Sequence, residues 1–121
     1  MTEVSIEQRF ARIAELLKTE TPPVAVRREI SKLILESIDH FGEDLGYWEK
    51  LHLGSAINSL AHNLAGPSES KVWLHYSFAN LAAAFWPKAN RNDEVPPKDP
   101  EIERITADDL RRALRSLEPQ T

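Results

Sequence analysis

The chain predicts an all-α fold: a four-helix, up-down bundle-like core with an additional short C-terminal helix. Three observations carry that expectation. Apolar residues recur at i, i+4, i+7 and i+11 in three segments, and in a closely related pattern in a fourth, which keeps them on one side of a 3.6-residue helix. Prolines fall between or at the ends of these segments, at Pro22, Pro23, Pro67, Pro87, Pro96, Pro97 and Pro100, with Pro119 in the tail. No stretch shows the two-residue alternation of a half-buried strand.

The first helix is expected from Ser5 to about Lys18, with Ile6, Phe10, Ile13 and Leu17 inward and Glu7, Arg9, Arg12 and Glu15 outward. Ser5, or Thr2 with Ser5 near N3, can cap its start. Pro22-Pro23 suits the opening of a second helix, which runs to about Phe41 and buries Val26, Ile30, Leu33, Ile34, Ile38 and Phe41. Gly42 is placed to end it.

Two apolar helices follow, Leu51–Leu64 and Ser70–Phe85, joined across Gly66-Pro67-Ser68. Leu53, Ile57, Leu60 and Leu64 line one, and Leu74, Phe78, Leu81 and Phe85 the other, so an antiparallel hairpin with facing stripes is expected. The second of the pair is apolar on nearly every side and is expected to be the most buried element. Small residues at Gly54, Ser55, Ala79 and Ala82 to Ala84 suit close helix approach. A proline-rich polar loop spans 88–100. The last helix opens with a capping-box-like Thr106-Ala-Asp-Asp109 and carries Leu110, Ala113, Leu114 and Leu117 inward.

At 121 residues one domain is expected, with residues 1–87 as the bundle core, 88–100 as the loop and 101–121 as a helix and tail docked on the same unit. The chain has no cysteine, which removes disulfides, thiolate metal sites and thiol nucleophiles. A net charge of −4 disfavours non-specific attraction to nucleic acid or anionic membrane. No basic-then-apolar leader and no membrane-length apolar run is visible, so a soluble, cytoplasmic protein is expected.

For chemistry the sequence offers fragments. Glu49-Lys-Leu-His52 is one Glu-x-x-His tetrad, where a di-iron bundle needs two. With His62 and His75, which flank the hairpin bend, it defines a possible metal set of Glu49, His52, His62 and His75; ordinary surface and core-edge histidines account for the same residues. His40 beside Asp39 suits a helix C-terminus. The carboxylates of Glu36, Asp39, Glu43, Asp44, Asp108 and Asp109 lie in polar surroundings, which do not raise a pKa into general-acid range. Asn90 to Glu101 has the oxygen spacing of a calcium loop but Val95 where glycine is required. The four glycines form no phosphate cradle, so no cofactor is expected.

What remains points to binding. Trp48, Trp73 and Trp86 bracket the hairpin, either as plugs for the two ends of the core or, with Tyr47, as an aromatic interface; Tyr47-Trp48 is the better expected anchor. Arg111, Arg112 and Arg115 give the last helix a basic side, diluted by Asp108, Asp109 and Glu118. The expected function is protein–protein binding without catalysis, as an adaptor, inhibitor or regulatory factor, with a homodimer compatible. A metal-binding bundle enzyme or sensor is the first alternative. Nucleic-acid binding through the Arg-bearing C-terminal helix is the second.

Overall fold

The computed structural model describes residues 5–66, 70–86 and 99–117, with only the backbone of Glu43. The fold is all-α: four main helices, α1 (Ile6–Lys18), α2 (Pro23–Phe41), α3 (Tyr47–Ala65) and α4 (Val72–Phe85), are followed by the short α5 (Pro100–Glu103) and α6 (Ala107–Arg115).

Local chemistry explains most boundaries. Ser5 caps α1 in a reciprocal box, its Oγ accepting from the Gln8 N–H at 3.1 Å and its N–H donating to Gln8 Oε1 at 3.0 Å. Pro23 takes the first position of α2, where its missing N–H has no partner to lose. Gly42 ends α2 at φ +56°, the left-handed region that favours glycine, and a 3-10 turn, Gly42–Asp44, follows. Thr106 and Asp109 form the anticipated box at the start of α6, at 3.2 and 3.0 Å.

Two starts differ from the sequence-based expectation. Helix α3 opens at Tyr47 rather than Leu51, because Glu49 at its third position accepts the Gly46 N–H at 2.8 Å. A Cβ on residue 46 would lie 2.4 Å from Glu49 Oε1, so a side chain there would displace the capping glutamate. Helix α4 opens at Val72 rather than Ser70, whose hydroxyl instead accepts from the Val72 N–H at 3.3 Å. The proline-rich loop lies outside the described residues except for its last two positions. There Asp99 caps the one-turn α5, which the sequence did not suggest.

Long-range contacts fix the up-down course. Arg9 pairs with Glu36, and Arg12 with Glu29 at 3.6 Å, so α1 and α2 are antiparallel. The Ser77 hydroxyl donates to the Ala56 carbonyl at 2.8 Å, while His52 Nδ1 meets Asn80 Oδ1 at 3.3 Å. Asn63 Nδ2 donates to the Ser70 carbonyl at 3.2 Å, so α3 and α4 form the antiparallel hairpin the stripes anticipated. Phe85 meets Phe41 at 4.9 Å between ring centres, end against end, which makes α2 and α4 parallel. These two also pack on each other across the bundle. The sheath closes with α6 on α2 and α3, held by Arg111 to Asp39 at 2.7 Å.

The core is drawn from all five longer helices, and its centre is α2. Val26, Ile30, Leu33, Ile34, Ser37 and Ile38 are all 0% exposed, because α2 packs against α1, α3, α4 and α6 at once. That corrects the expectation for α4, which buries Leu74, Ser77, Leu81 and Ala84 but leaves much of its surface in solvent. Leu64 is also exposed, contrary to its place in the α3 stripe. The buried side of α3 is turned toward Ala56, Ser59 and Asn63, small or hydrogen-bonding residues that let α4 come close, and the end of the leucine stripe is left at the rim. Phe78 and Phe85 are only partly buried. They join Phe10, Phe41, His40 and Trp86 in one cluster of ring contacts at 4.9 to 5.8 Å.

Candidate functional site

Helix α4 carries fourteen residues, Val72 to Phe85, and none is Asp, Glu, Lys or Arg. In a chain that is 28% charged, a helix of this length ordinarily carries about four charges, and lacks them only when buried all round. This one is not. Val72 is 57% exposed, Tyr76 56% and Trp73 38%, and Trp86, capping the C-terminal end, is 48%. His75 and Ala79 are exposed beside them. Large apolar side chains scattered singly on a surface mean little, but a contiguous uncharged aromatic face is unusual on a lone protein.

The face is held firmly from behind. Leu74 and Leu81 anchor its inner side in the core. The buried Ser77 hydroxyl ties it to α3, and Arg27 on α2 reaches Asn63 Oδ1 at 3.4 Å, which in turn holds Ser70. Lys71, just before α4, sends its Nζ to the Leu16 and Thr19 carbonyls at 3.3 and 2.7 Å. The Lys71 charge is therefore spent on the open C-terminal carbonyls of α1. The rings are ordered too: the His62 imidazole stacks on the Trp73 indole at 4.4 Å and 20°, and Trp73 meets Tyr76 at 5.5 Å.

The tryptophans thus divide. Trp73 and Trp86 stand at opposite ends of α4, half in solvent, and Trp86 packs edge-on against Phe10 at 4.9 Å. Tyr47 and Trp48 are half-buried in the first turn of α3, with the Tyr47 hydroxyl accepting the Asp99 N–H at 3.0 Å. The expected order of exposure is reversed. Tyr76 and Val72, the most exposed of the large apolar residues, were not singled out from sequence. The available signal was the lack of charge from Val72 to Trp86, which reads equally as complete burial when neighbours are unknown.

The four residues of the possible metal set are not drawn together. Glu49 is engaged with its own helix start, and His52 with Asn80 and, at 6.4 Å, the Trp48 ring. His62 lies ten residues, or about 15 Å, further along α3, and the ring it meets belongs to Trp73 rather than His75. Among the described residues no group of three or more His, Asp or Glu is arranged to hold a metal ion.

Two of the three arginines of α6 are paired with carboxylates. Arg111 binds Asp39 and, at 2.8 Å, Asp108. Its guanidinium is raised above its ordinary pKa by the hydrogen bond to Asp39 first and the Asp108 bond second. Arg112 reaches Asp109 at 3.2 Å, and Arg115 is exposed. The Asp109 carboxyl is held below the usual carboxylate range, chiefly by the Thr106 N–H and then by the Thr106 hydroxyl. A cleft of about 490 Å³ lies between the turn after α2 and the start of α6, lined by Gly42, Leu45, Lys50, Ile105 and Arg111 among others. Its cations are also occupied, since Lys50 Nζ donates to the Glu103 carbonyl at 2.9 Å.

No helix among the described residues is long and apolar enough to cross a membrane. No protein-family model matches the chain, and no curated protein or solved structure matches it at a significant level.

Proposed function

We propose that the protein acts by binding another protein through the outer face of α4, as an adaptor, inhibitor or regulatory factor of the cytoplasm, without catalysis of its own. One observation carries this reading: a fourteen-residue helix with no Asp, Glu, Lys or Arg leaves Val72, Trp73 and Tyr76 in solvent. Interface centres are depleted in charge and enriched in tryptophan and tyrosine, which supply contact area at low entropic cost. The supports behind the face, Ser77, Asn63 and Lys71, keep it in one shape, so little ordering is required on binding.

Site-specific photo-crosslinking in the native cell tests it. A benzoylphenylalanine in place of Tyr76 is expected to give a discrete, higher-mass adduct on irradiation. The same group in place of Leu35, exposed on α2 away from this face, is the control. Adducts of equal yield at both positions, or none at residue 76, refute the proposal.

A further inference from the structure

The outward side of α4 has a regular seam. Val72, Tyr76, Ala79 and Ala83 are spaced 4, 3 and 4, the a/d spacing along which one helix lies on another. The inner seam, Leu74, Phe78, Leu81 and Phe85, repeats the same spacing and is the one the bundle uses. The residues flanking the outer seam, Trp73, His75, Asn80 and Ala82, likewise include no Asp, Glu, Lys or Arg.

We propose, resting on the binding role assigned to this face, that its partner is a second copy of this chain, with the two α4 helices antiparallel about a twofold axis. Charge and shape both favour this occupant. A twofold axis sets a face against itself, so a charged face tends to meet its own sign, whereas this one carries no Asp, Glu, Lys or Arg to oppose. Reversal of the seam also makes it self-complementary. Val72 falls opposite the second copy's Ala83, and Tyr76 opposite its Ala79, with the same two layers repeated by symmetry. Every layer then pairs a large side chain with an alanine, and the helices keep an even spacing. The flanking Trp73, stacked on His62, closes the edge of the contact.

The exposed area sets the strength. At about 200 Å² for a fully buried aromatic side chain, the exposed parts of Trp73 and Tyr76 offer about 200 Å² per copy. A standard interface buries ~800 Å² per partner, so the dimer is weak and its population rises over micromolar to millimolar concentrations.

Sedimentation equilibrium across that range reads the outcome on the full chain. The weight-average mass of the parent is expected to climb from monomer toward dimer, and Leu35→Glu to follow it. Ala79→Glu, at an exposed helical position where the substitution leaves the fold intact by far-UV circular dichroism, is expected to stay monomeric throughout. A parent that remains monomeric at the highest concentration overturns the inference, as does an Ala79→Glu that associates like the parent. A monomeric parent whose residue 76 still crosslinks to a different protein in the cell overturns only the self-pairing and leaves the binding role standing.

Discussion

Leu33 on α2 provides the sharpest test of where the core lies. Its side chain is 0% exposed on the helix that packs against four others. Leu33→Ala removes three carbons, a transfer loss of ~2.4 kcal/mol at about 0.8 kcal/mol per buried methylene. A cavity closed in by packed helices adds to that, for a total of about 3–4 kcal/mol. At about 2.1 cal/mol/K per residue, unfolding of 121 residues carries an entropy of ~0.25 kcal/mol/K. The midpoint should therefore fall by about 12–16 °C. Tyr76→Ala on the outer face of α4 should change stability by no more than about 0.5 kcal/mol, or ~2 °C. Melting followed at 222 nm at low micromolar concentration gives both values. A loss under ~5 °C for Leu33→Ala, or a loss from Tyr76→Ala as large as that from Leu33→Ala, would refute the placement of the core on α2 and of α4 at the surface.

Two further outcomes follow from local geometry. Gly42→Ala forces a side chain into φ +56° and should destabilise by about 1–2 kcal/mol, although no atom crowds the new Cβ; urea unfolding measures it, and an unchanged midpoint would show that the turn is not held in this conformation. The Asp109 carboxyl is lowered by the Thr106 N–H and hydroxyl, so its stabilisation is complete above the ordinary carboxylate pKa of the unfolded chain. It is lost as pH falls through the lower folded value. The acid limb of a melting-temperature profile should therefore be shallower in Asp109→Asn than in the parent, and identical limbs would exclude this contribution.

The elements were legible because their causes are local. Helical spacing in α1 and α2, Pro23 at the start of α2, Ser5, Gly42 and the Thr106–Asp109 pair each act within a few residues, and the structure keeps all of them. The start of α3 was read four residues late, although its cause, Glu49 reaching back to Gly46, is local too; the cue there is a glutamate opposite a glycine, weaker than one opposite a serine or threonine.

What the sequence alone determined is the four main helices and α6, the chemistry of most of their ends, and which stripes are apolar. Tertiary structure decided which apolar surface is covered. A helix such as α4, without charge on any side, specifies no inward direction of its own. Its orientation follows from the neighbours: Ser77 finds the Ala56 carbonyl, Lys71 finds the carbonyls ending α1, and α2 occupies the centre. Val72, Trp73 and Tyr76 face water because the other described helices are packed elsewhere. The same rule scattered Glu49, His52, His62 and His75, since covalent spacing along two helices sets reach, and only packing brings side chains to one point.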